Sequence, residues 1–329
     1  MVNVLVTGGA GFIGSHVAQE LLDANYQVIV LDNLSGGFKR NVPINSIFIE
    51  GSILDEELID SLFAKYNFNY VFHLAAYAAE GLSHFIRKFN YTNNLIGSIN
   101  LINASVKYNV ERFVFTSSIA VYGSAQVPFI EETNPKPEDP YGIAKYSVEL
   151  DLQSALEQFG LNYTIFRPHN VYGIGQNLSD PYRNVIGIFM RQILNKESLT
   201  IYGNGEQTRA FTHIDSIRNA ITQCIELPKT KNEIFNLGAN EKTSINELAD
   251  LLLEITNSEN GKIHLKGRNE VLDAISNHQK ADELFKTSAT ISLNSGLEDV
   301  WNWAKSLKLK TPTRFEDIEI RKQLPVNWQ

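Results

Sequence analysis

A tyrosine and a lysine four residues apart, Tyr141 and Lys145, stand just after Asp139-Pro140 at the start of a helical pattern. Positions i and i+4 share one face of a helix, so the phenol and the ammonium project together. A neighbouring ammonium, joined by the positive charge of any oxidised cofactor ring brought beside it, is expected to lower the tyrosine pKa and let it act as a base near neutral pH. An exposed helical pair would look the same in isolation. What gives this one weight is Thr116-Ser117-Ser118, which closes a short β-branched run 23 residues before Tyr141.

A second set of residues suits a dinucleotide. Thr7-Gly8-Gly9-Ala10-Gly11-Phe12-Ile13-Gly14 follows the first apolar run and opens a helical one, with glycines 8, 11 and 14 spaced G-x-x-G-x-x-G. Glycines there allow a tight turn and a close backbone approach, so pyrophosphate oxygens meet the N–H groups of a helix N-terminus. Asp32, eighteen residues beyond Gly14, ends the second expected strand. A carboxylate at that place accepts hydrogen bonds from ribose hydroxyls and repels a 2′-phosphate, which favours NAD over NADP. The plainer alternative is a structural turn and a surface aspartate.

Positioning these groups requires a sheet. Val2–Thr7, Gln27–Asp32, Ser46–Glu50, Tyr70–Leu74, Arg112–Ser117 and Asn162–Arg167 read as buried strands. Ile13–Ala24, Asp55–Tyr66, Thr92–Tyr108 and Tyr141–Phe159 read as helices between them. Such alternation predicts an α/β fold, a Rossmann-type doubly wound parallel sheet covered on both faces. After Arg167-Pro168 the periodicity loosens, although Ile186–Leu194, Ile245–Glu254 and Leu297–Leu307 still look helical. Ile214–Glu226 and Ile234–Leu237 read as a helix and a strand returning to the first domain. The expected division is an NAD-binding domain over residues 1–167, with 210–238 returning to it, and a smaller discontinuous α/β substrate domain over 168–209 and 239–329.

Composition narrows the partners. The 329 residues are 43% hydrophobic and 20% charged, with a formal charge of −8, which is ordinary for a globular protein and argues against nucleic-acid binding. A small anionic ligand needs only local arginines and helix N-termini. One cysteine, Cys224, excludes an intrachain disulfide and a multi-cysteine metal site, and makes a reducing cytoplasm the simplest home. No signal peptide or apolar spanning stretch is read. His16, His73, His169, His213 and His264 lack metal-ligand spacing, so no metal is expected.

The chain resembles the extended short-chain dehydrogenase/reductases, in particular their nucleotide-sugar epimerase branch. The likeness rests on the glycine pattern, His73-Leu74-Ala75-Ala76, Ser117-Ser118-Ile119-Ala120-Val121-Tyr122-Gly123, the Tyr141/Lys145 pair, Arg167-Pro168-His169-Asn170-Val171-Tyr172-Gly173 and Gln207-Thr208-Arg209-Ala210-Phe211-Thr212-His213-Ile214. It implies that Ser118 hydrogen-bonds the sugar hydroxyl being oxidised, Tyr141 removes its proton and Lys145 holds the nicotinamide ribose. Hydride would move from sugar C4 to NAD and back to the other face of a 4-keto sugar. The cofactor contacts it implies are Gly8, Gly11, Phe12, Ile13, Gly14, Asp32, Asn33, Ser35, Gly36, Ser52, Ile53, Leu74, Ala75, Ala76, Asn94, Ser117, Tyr141 and Lys145. Ser52 stands where the family usually has aspartate, so weaker adenine contact is expected.

For the substrate the resemblance implies UDP. Asn170 is placed near the diphosphate, Asn184 opens the nucleotide-binding helix, Tyr202 packs on uracil, and Arg209 and Arg268 hold phosphate oxygens, a task that suits a planar guanidinium. Thr200, Ala78 and Ala274 join the substrate wall. Glu80, Ser83 and His84 lie in a loop that departs from the family pattern and are either sugar contacts or caps of the next helix. A small residue at Ala274, or Ile275 if the alignment slips by one, would admit 2-acetamido sugars. The resemblance also implies a homodimer, with Thr92–Tyr108 and Tyr141–Phe159 paired across a twofold.

Within this branch, 4,6-dehydratases carry Asp-Glu just after the catalytic threonine, and UDP-glucuronate decarboxylases a glutamate two residues after it. Ile119 and Ala120 occupy those positions here and can neither donate nor accept a proton. The expectation is therefore NAD-dependent C4 epimerisation of a UDP-hexose, UDP-glucose and UDP-galactose or their N-acetyl forms. Alternatives are a nucleotide-sugar dehydratase, dehydrogenase or 4-reductase, an epimerase of a UDP-uronate or UDP-pentose, and a dinucleotide-sensing regulator without chemistry.

Overall fold

In the computed structural model, which describes residues 2–268, 271–286, 291–308 and 315–328, seven parallel strands form one sheet. They are β1 (Asn3–Thr7), β2 (Gln27–Asp32), β3 (Ile47–Glu50), β4 (Tyr70–His73), β5 (Arg112–Thr116), β6 (Tyr163–Pro168) and a last strand, Glu233–Leu237. Their spatial order is Glu233–Leu237, β6, β5, β4, β1, β2, β3. The chain winds outward from β1 in both directions, which leaves a crevice at the strands' C-terminal ends beside β1.

The strands are apolar on both sides because both sides are covered. Leu5, Ile29, Leu31, Val71, Phe113, Phe115 and Ile165 face one layer, made of α2 (Glu56–Tyr66), α5 (Gly97–Lys107) and α6 (Pro140–Phe159). Val4, Val6, Val28, Val30, Phe72, Val114 and Phe166 point the other way, onto α1 (Phe12–Asp23), α8 (Arg218–Gln223) and α10 (Gln279–Phe285). A separate core joins α7 (Val185–Leu194), the strand Leu199–Tyr202, α9 (Ile245–Thr256) and α11 (Leu293–Ala304) through Phe189, Met190, Leu199, Leu248, Leu252, Leu297 and Val300.

Four elements differ from the sequence reading. The helix expected at Thr92–Tyr108 begins earlier, with α3 (Glu80–Ser83) and α4 (Arg87–Tyr91) ahead of a π-helical turn, Thr92–Ile96, that runs into α5. That turn points Asn94 back at Tyr77, whose N–H and C=O both bond its amide at 2.8 and 3.1 Å. Ile214–Glu226 splits into a 3-10 turn, Ile214–Ser216, and α8. α11 starts at Leu293 rather than Leu297 because the Ser292 hydroxyl caps it, accepting the Ser295 N–H at 3.2 Å. α10 was not anticipated, and its Ala281 and Phe285 pack on the main sheet.

One buried ion pair ties three of these elements. Glu149 of α6 takes Arg167 of β6 in a two-pronged contact, Nε to Oε1 at 3.0 Å and Nη2 to Oε2 at 2.5 Å, with side-chain exposures of 0% and 2%. Ser117, directly after β5, donates to the same Oε1. Arg167 Nη1 also donates to Tyr122 Oη at 2.7 Å, and Tyr122 Oη donates to Asn236 Oδ1 at 2.8 Å. Removing one partner of a buried pair strands the other charge without water. Glu149→Ala is therefore expected to lower unfolding free energy by about 3–5 kcal/mol in urea titrations. Glu149→Leu combined with Arg167→Met should regain much of that loss; a Glu149→Ala change below about 1 kcal/mol would contradict the assignment.

Candidate active site

The crevice is built first from glycine. Gly8 has φ +72°, and a Cβ there would stand 2.7 Å from the Ala75 nitrogen; a Cβ on Gly14 would stand 2.2 Å from the Gly8 carbonyl oxygen. Both positions must lack a side chain for β1, α1 and the loop after β4 to close up. Gly11 starts α1 with no side chain capping it, so the first N–H groups of a twelve-residue helix open into the cleft beside Phe12 and Ile13. Asp32, at the end of β2, accepts the Ala10 N–H at 3.0 Å and the Leu34 N–H at 2.8 Å. Burial pushes its carboxyl upward against those hydrogen bonds.

The opposite wall is held by a chain of hydrogen bonds. Thr7 Oγ1 accepts the Ala75 N–H at 3.3 Å and meets His73 Nδ1 at 2.8 Å; His73 Nε2 meets Ser98 Oγ at 2.8 Å, and Ser98 donates to the Asn94 carbonyl at 2.7 Å. A neutral imidazole satisfies this order, accepting at Nδ1 and donating at Nε2. Burial drives the His73 pKa down to about 3. Leu74, Ala75 and Ala76 are thereby fixed along the cleft.

Tyr141 and Lys145 project from the first turns of α6, which begins where the Asp139 carboxylate caps it by accepting the Gly142 N–H at 2.9 Å. Lys145 Nζ donates to the Thr116 carbonyl at 2.7 Å, lies over the Phe115 ring at 4.6 Å from its centroid, and stands 5.9 Å from the Tyr141 centroid. Burial pulls its pKa down to about 7, with Glu149 opposing. Ser118 accepts the Ala120 N–H at 3.1 Å and hydrogen-bonds the Tyr141 phenol. The trio is assembled, and the ammonium alone does not depress the tyrosine. Burial raises the Tyr141 pKa above its ordinary value, Ser118 pulls it down, and Glu80 and Asp139 add to the rise. The Lys145 ammonium, which donates to the Thr116 carbonyl, does not by itself offset that burial.

One continuous cleft is lined by nearly all the expected cofactor residues, Gly8, Gly11, Phe12, Ile13, Gly14, Asp32, Asn33, Ser35, Gly36, Ile53, Leu74, Ala75, Ala76, Ser117, Tyr141 and Lys145. It continues past Ala78, Glu80, Ser118 and Asn170 to Asn184, Thr200, Tyr202, Arg209, Arg268 and Ala274. Two expected cofactor contacts fall outside the lining. Ser52 lies between the lining residues Gly51 and Ile53, and its hydroxyl accepts the Leu54 N–H at 3.1 Å. Asn94 is 1% exposed and bonded to Tyr77 and Asn90, so it braces the wall from behind. Ser83 likewise is buried, donating to the Glu80 carbonyl at 2.6 Å beside Asp139, whereas Glu80 and His84 face the cleft.

The residues fit a dinucleotide. Thr116 Oγ1 is buried at the cleft wall with no hydrogen-bond partner, an acceptor and donor left for a ligand. With the uncapped α1 N-terminus and Asp32, the cofactor end offers donors for pyrophosphate and an acceptor for ribose. Arg183 went unnoticed in the sequence although it immediately precedes Asn184. It pairs with Asp180 at 2.7 Å, lies over Tyr77, and packs on Gly36, so it bridges the two ends of the cleft. Asn184 adopts φ +56° and donates to the Val171 carbonyl at 3.0 Å, leaving the N-terminus of α7 without a side-chain cap. Among the described residues, no group of three or more His, Cys, Asp or Glu side chains could hold a metal ion.

A model of the NAD-dependent epimerase/dehydratase family matches residues 4–238. A putative UDP-glucose 4-epimerase of Methanocaldococcus jannaschii is 34% identical over 305 residues, covering 92% of this chain and 98% of that protein. The crystal structure of a Thermotoga maritima UDP-glucose 4-epimerase with UDP-glucose superposes with a TM-score of 0.87 at 39% identity, covering 92% of this chain and 99% of that one. A Bacillus cereus UDP-glucuronic acid 4-epimerase, solved with UDP-glucuronic acid and NAD, gives a TM-score of 0.85 at 30% identity over 92% and 99%.

Buried imidazoles set an acid limit. His73, His169 and His278 are held neutral, with pKa values lowered to about 3, 3 and 4, chiefly by burial; His169 Nε2 and His278 Nε2 stand 2.8 Å apart. Unfolded histidines titrate near 6.5, so between about pH 6.5 and pH 4 the unfolded chain binds more protons and their contribution falls as pH falls. Urea midpoints should drop from pH 7 to pH 5, and His73→Gln should make that drop shallower. A slope unchanged by the substitution would contradict the neutral assignment.

Proposed function

The chain belongs to the NAD-dependent epimerase/dehydratase family, an enzyme family acting on nucleotide-sugars with NAD as cofactor, and we propose that within it the chain is a UDP-hexose 4-epimerase. The observation that carries this reading is the chemistry of the wall after Ser118. Ile119 and Ala120 face the cleft next to the catalytic trio, where an elimination or decarboxylation needs an acid or a base. What remains suits removal of a proton from an alcohol and its return.

When bound, NAD supplies the acceptor and donor of one hydride. Gly8, the Gly11–Gly14 turn and Asp32 would hold it, with Asn33, Ser35, Gly36, Ile53, Leu74, Ala75, Ala76 and Ser117 lining the same stretch of cleft, and Lys145 would hold its nicotinamide ribose. Ser118 holds the sugar C4 hydroxyl, and Tyr141 takes its proton and later returns one. A phenol kept protonated by burial becomes a base when positive charge arrives beside it, and a bound oxidised nicotinamide would bring such a charge. The 4-keto sugar turns between the two transfers, so the hydrogen comes back on the other face and no cofactor is consumed.

The UDP half is assigned to Asn170, Asn184, Thr200, Tyr202, Arg209 and Arg268, with Ala78 and Glu80 beside the sugar. The M. jannaschii and T. maritima relatives, both called UDP-glucose 4-epimerases, support a neutral hexose. So does charge: Arg183 is already paired with Asp180, and Glu80 shares the cleft, so a uronate carboxylate would meet repulsion. Ala274 in the lining leaves room for an acetamido group, which supports the N-acetyl pair as a second substrate.

Homodimerisation is proposed through the π-helical turn with α5, and α6, whose outer faces expose Ile96 (46%), Ile143 (36%) and Leu150 (46%). Light scattering at twice the chain mass would support it, and a clean monomer would refute it. For the chemistry, incubation with UDP-glucose, UDP-galactose, their N-acetyl forms and UDP-glucuronate should interconvert the neutral pairs and leave the uronate unchanged. Tyr141→Phe should cut turnover by about 100- to 10,000-fold while UDP still binds. Wild-type turnover of none of these sugars, or full activity in the variant, would overturn the reading.

A further inference from the structure

Residues Phe315–Trp328 run behind the substrate end of the cleft and contact the lining residues Tyr77, Tyr182, Tyr202 and Arg268 from outside. Phe315 donates its N–H to Tyr182 Oη at 3.2 Å and packs its ring on Phe89 and Tyr77 at 4.8 and 5.6 Å. Glu319 caps α4, its carboxylate oxygens accepting the N–H groups of Lys88 and Phe89 at 2.8 Å each. Leu324 and Trp328 bury themselves with Ala79, Leu82, Ile86 and Tyr182. These contacts brace the loop that carries Ala78 and Glu80.

The last two described residues reach further. Asn327 donates its amide to the Tyr202 hydroxyl. Trp328 is 5% exposed, and the Arg268 guanidinium lies 5.5 Å from its ring centroid and 4.2 Å from that of Tyr202. Gly81 makes room for this group, since a Cβ there would stand 3.3 Å from Trp328 and 3.8 Å from Arg268. Tyr202, Arg268 and Gly81 line the cleft while Trp328 does not, so the indole backs the arginine from outside.

We propose that Asn327 and Trp328 are positioning residues for the nucleoside-diphosphate end of the substrate, setting the Tyr202 ring and the Arg268 guanidinium before the ligand arrives. This rests on the UDP-sugar reading above. Rings on a guanidinium attract its charge and occupy its faces, while its N–H donors lie in the plane between them. An arginine confined in this way loses less side-chain freedom when phosphate oxygens bind, and that saving appears as affinity.

The test is UDP binding by calorimetry to the NAD-loaded full chain, which needs no turnover. Trp328→Ala should weaken UDP about tenfold, and Trp328→Phe should restore most of it. Arg268→Ala should weaken UDP too, and adding Trp328→Ala to it should cost little more, because the indole acts through the arginine. With UDP-glucose, KM should rise while kcat and bound NAD per chain stay near wild type. Asn327→Ala, outside the apolar cluster, should shift UDP affinity the same way if Trp328→Ala folds poorly. Wild-type UDP affinity in the folded Trp328→Ala and Asn327→Ala variants, or losses that multiply fully with Arg268→Ala, would overturn the proposal and leave the epimerase reading standing. A wild-type chain that does not bind UDP would overturn both.

Discussion

Glu149 has no water to turn to, and that constraint organises the cleft. Its two oxygens are met by Arg167 from one strand and Ser117 from the end of the next. It stands four residues after Lys145 and eight after Tyr141, so the three form one stripe along α6. Anchoring the carboxylate over the ends of β5 and β6 therefore sets how far the phenol and the ammonium reach, and brings Ser118 to the phenol. The pair contributes little net stability compared with apolar packing. Its contribution is geometric: any other register of α6 on the sheet leaves two buried charges unpaired.

Burial then sets the acid–base character of each group. The same enclosure lowers Lys145, raises Tyr141 and keeps His73 neutral. A spacing of four residues says which side chains are neighbours but not how much water surrounds them. Tyr141 and Lys145 were accordingly legible from their i, i+4 spacing, and the effect of burial on the phenol was not. Desolvation and the carboxylates of Glu80 and Asp139 outweigh a lysine whose proton is shared with the Thr116 carbonyl.

The parallel sheet was legible because strands buried on both faces leave short apolar runs, and Val4, Leu5 and Val6 do face alternate cores. The glycine spacing and Asp32 were legible because backbone crowding and strand ends are local matters. The π-helical turn at Thr92–Ile96 was not, since it answers to Tyr77 across space. Arg183 hid in an irregular stretch without periodicity. The band formed by Phe315–Trp328 was the least legible, because its anchors join residues 231 apart in the chain and leave no local pattern.

The account stands most directly on what happens at one carbon. If Tyr141 and Ser118 act with NAD on a single sugar hydroxyl, the hydrogen at C4 leaves and returns to the same carbon out of contact with water. UDP-glucose carrying deuterium at C4 should give UDP-galactose with the label retained at C4, followed by NMR, and with no NADH accumulating. Label moved to C6, as elimination across C5–C6 would give, or lost to solvent would contradict the account.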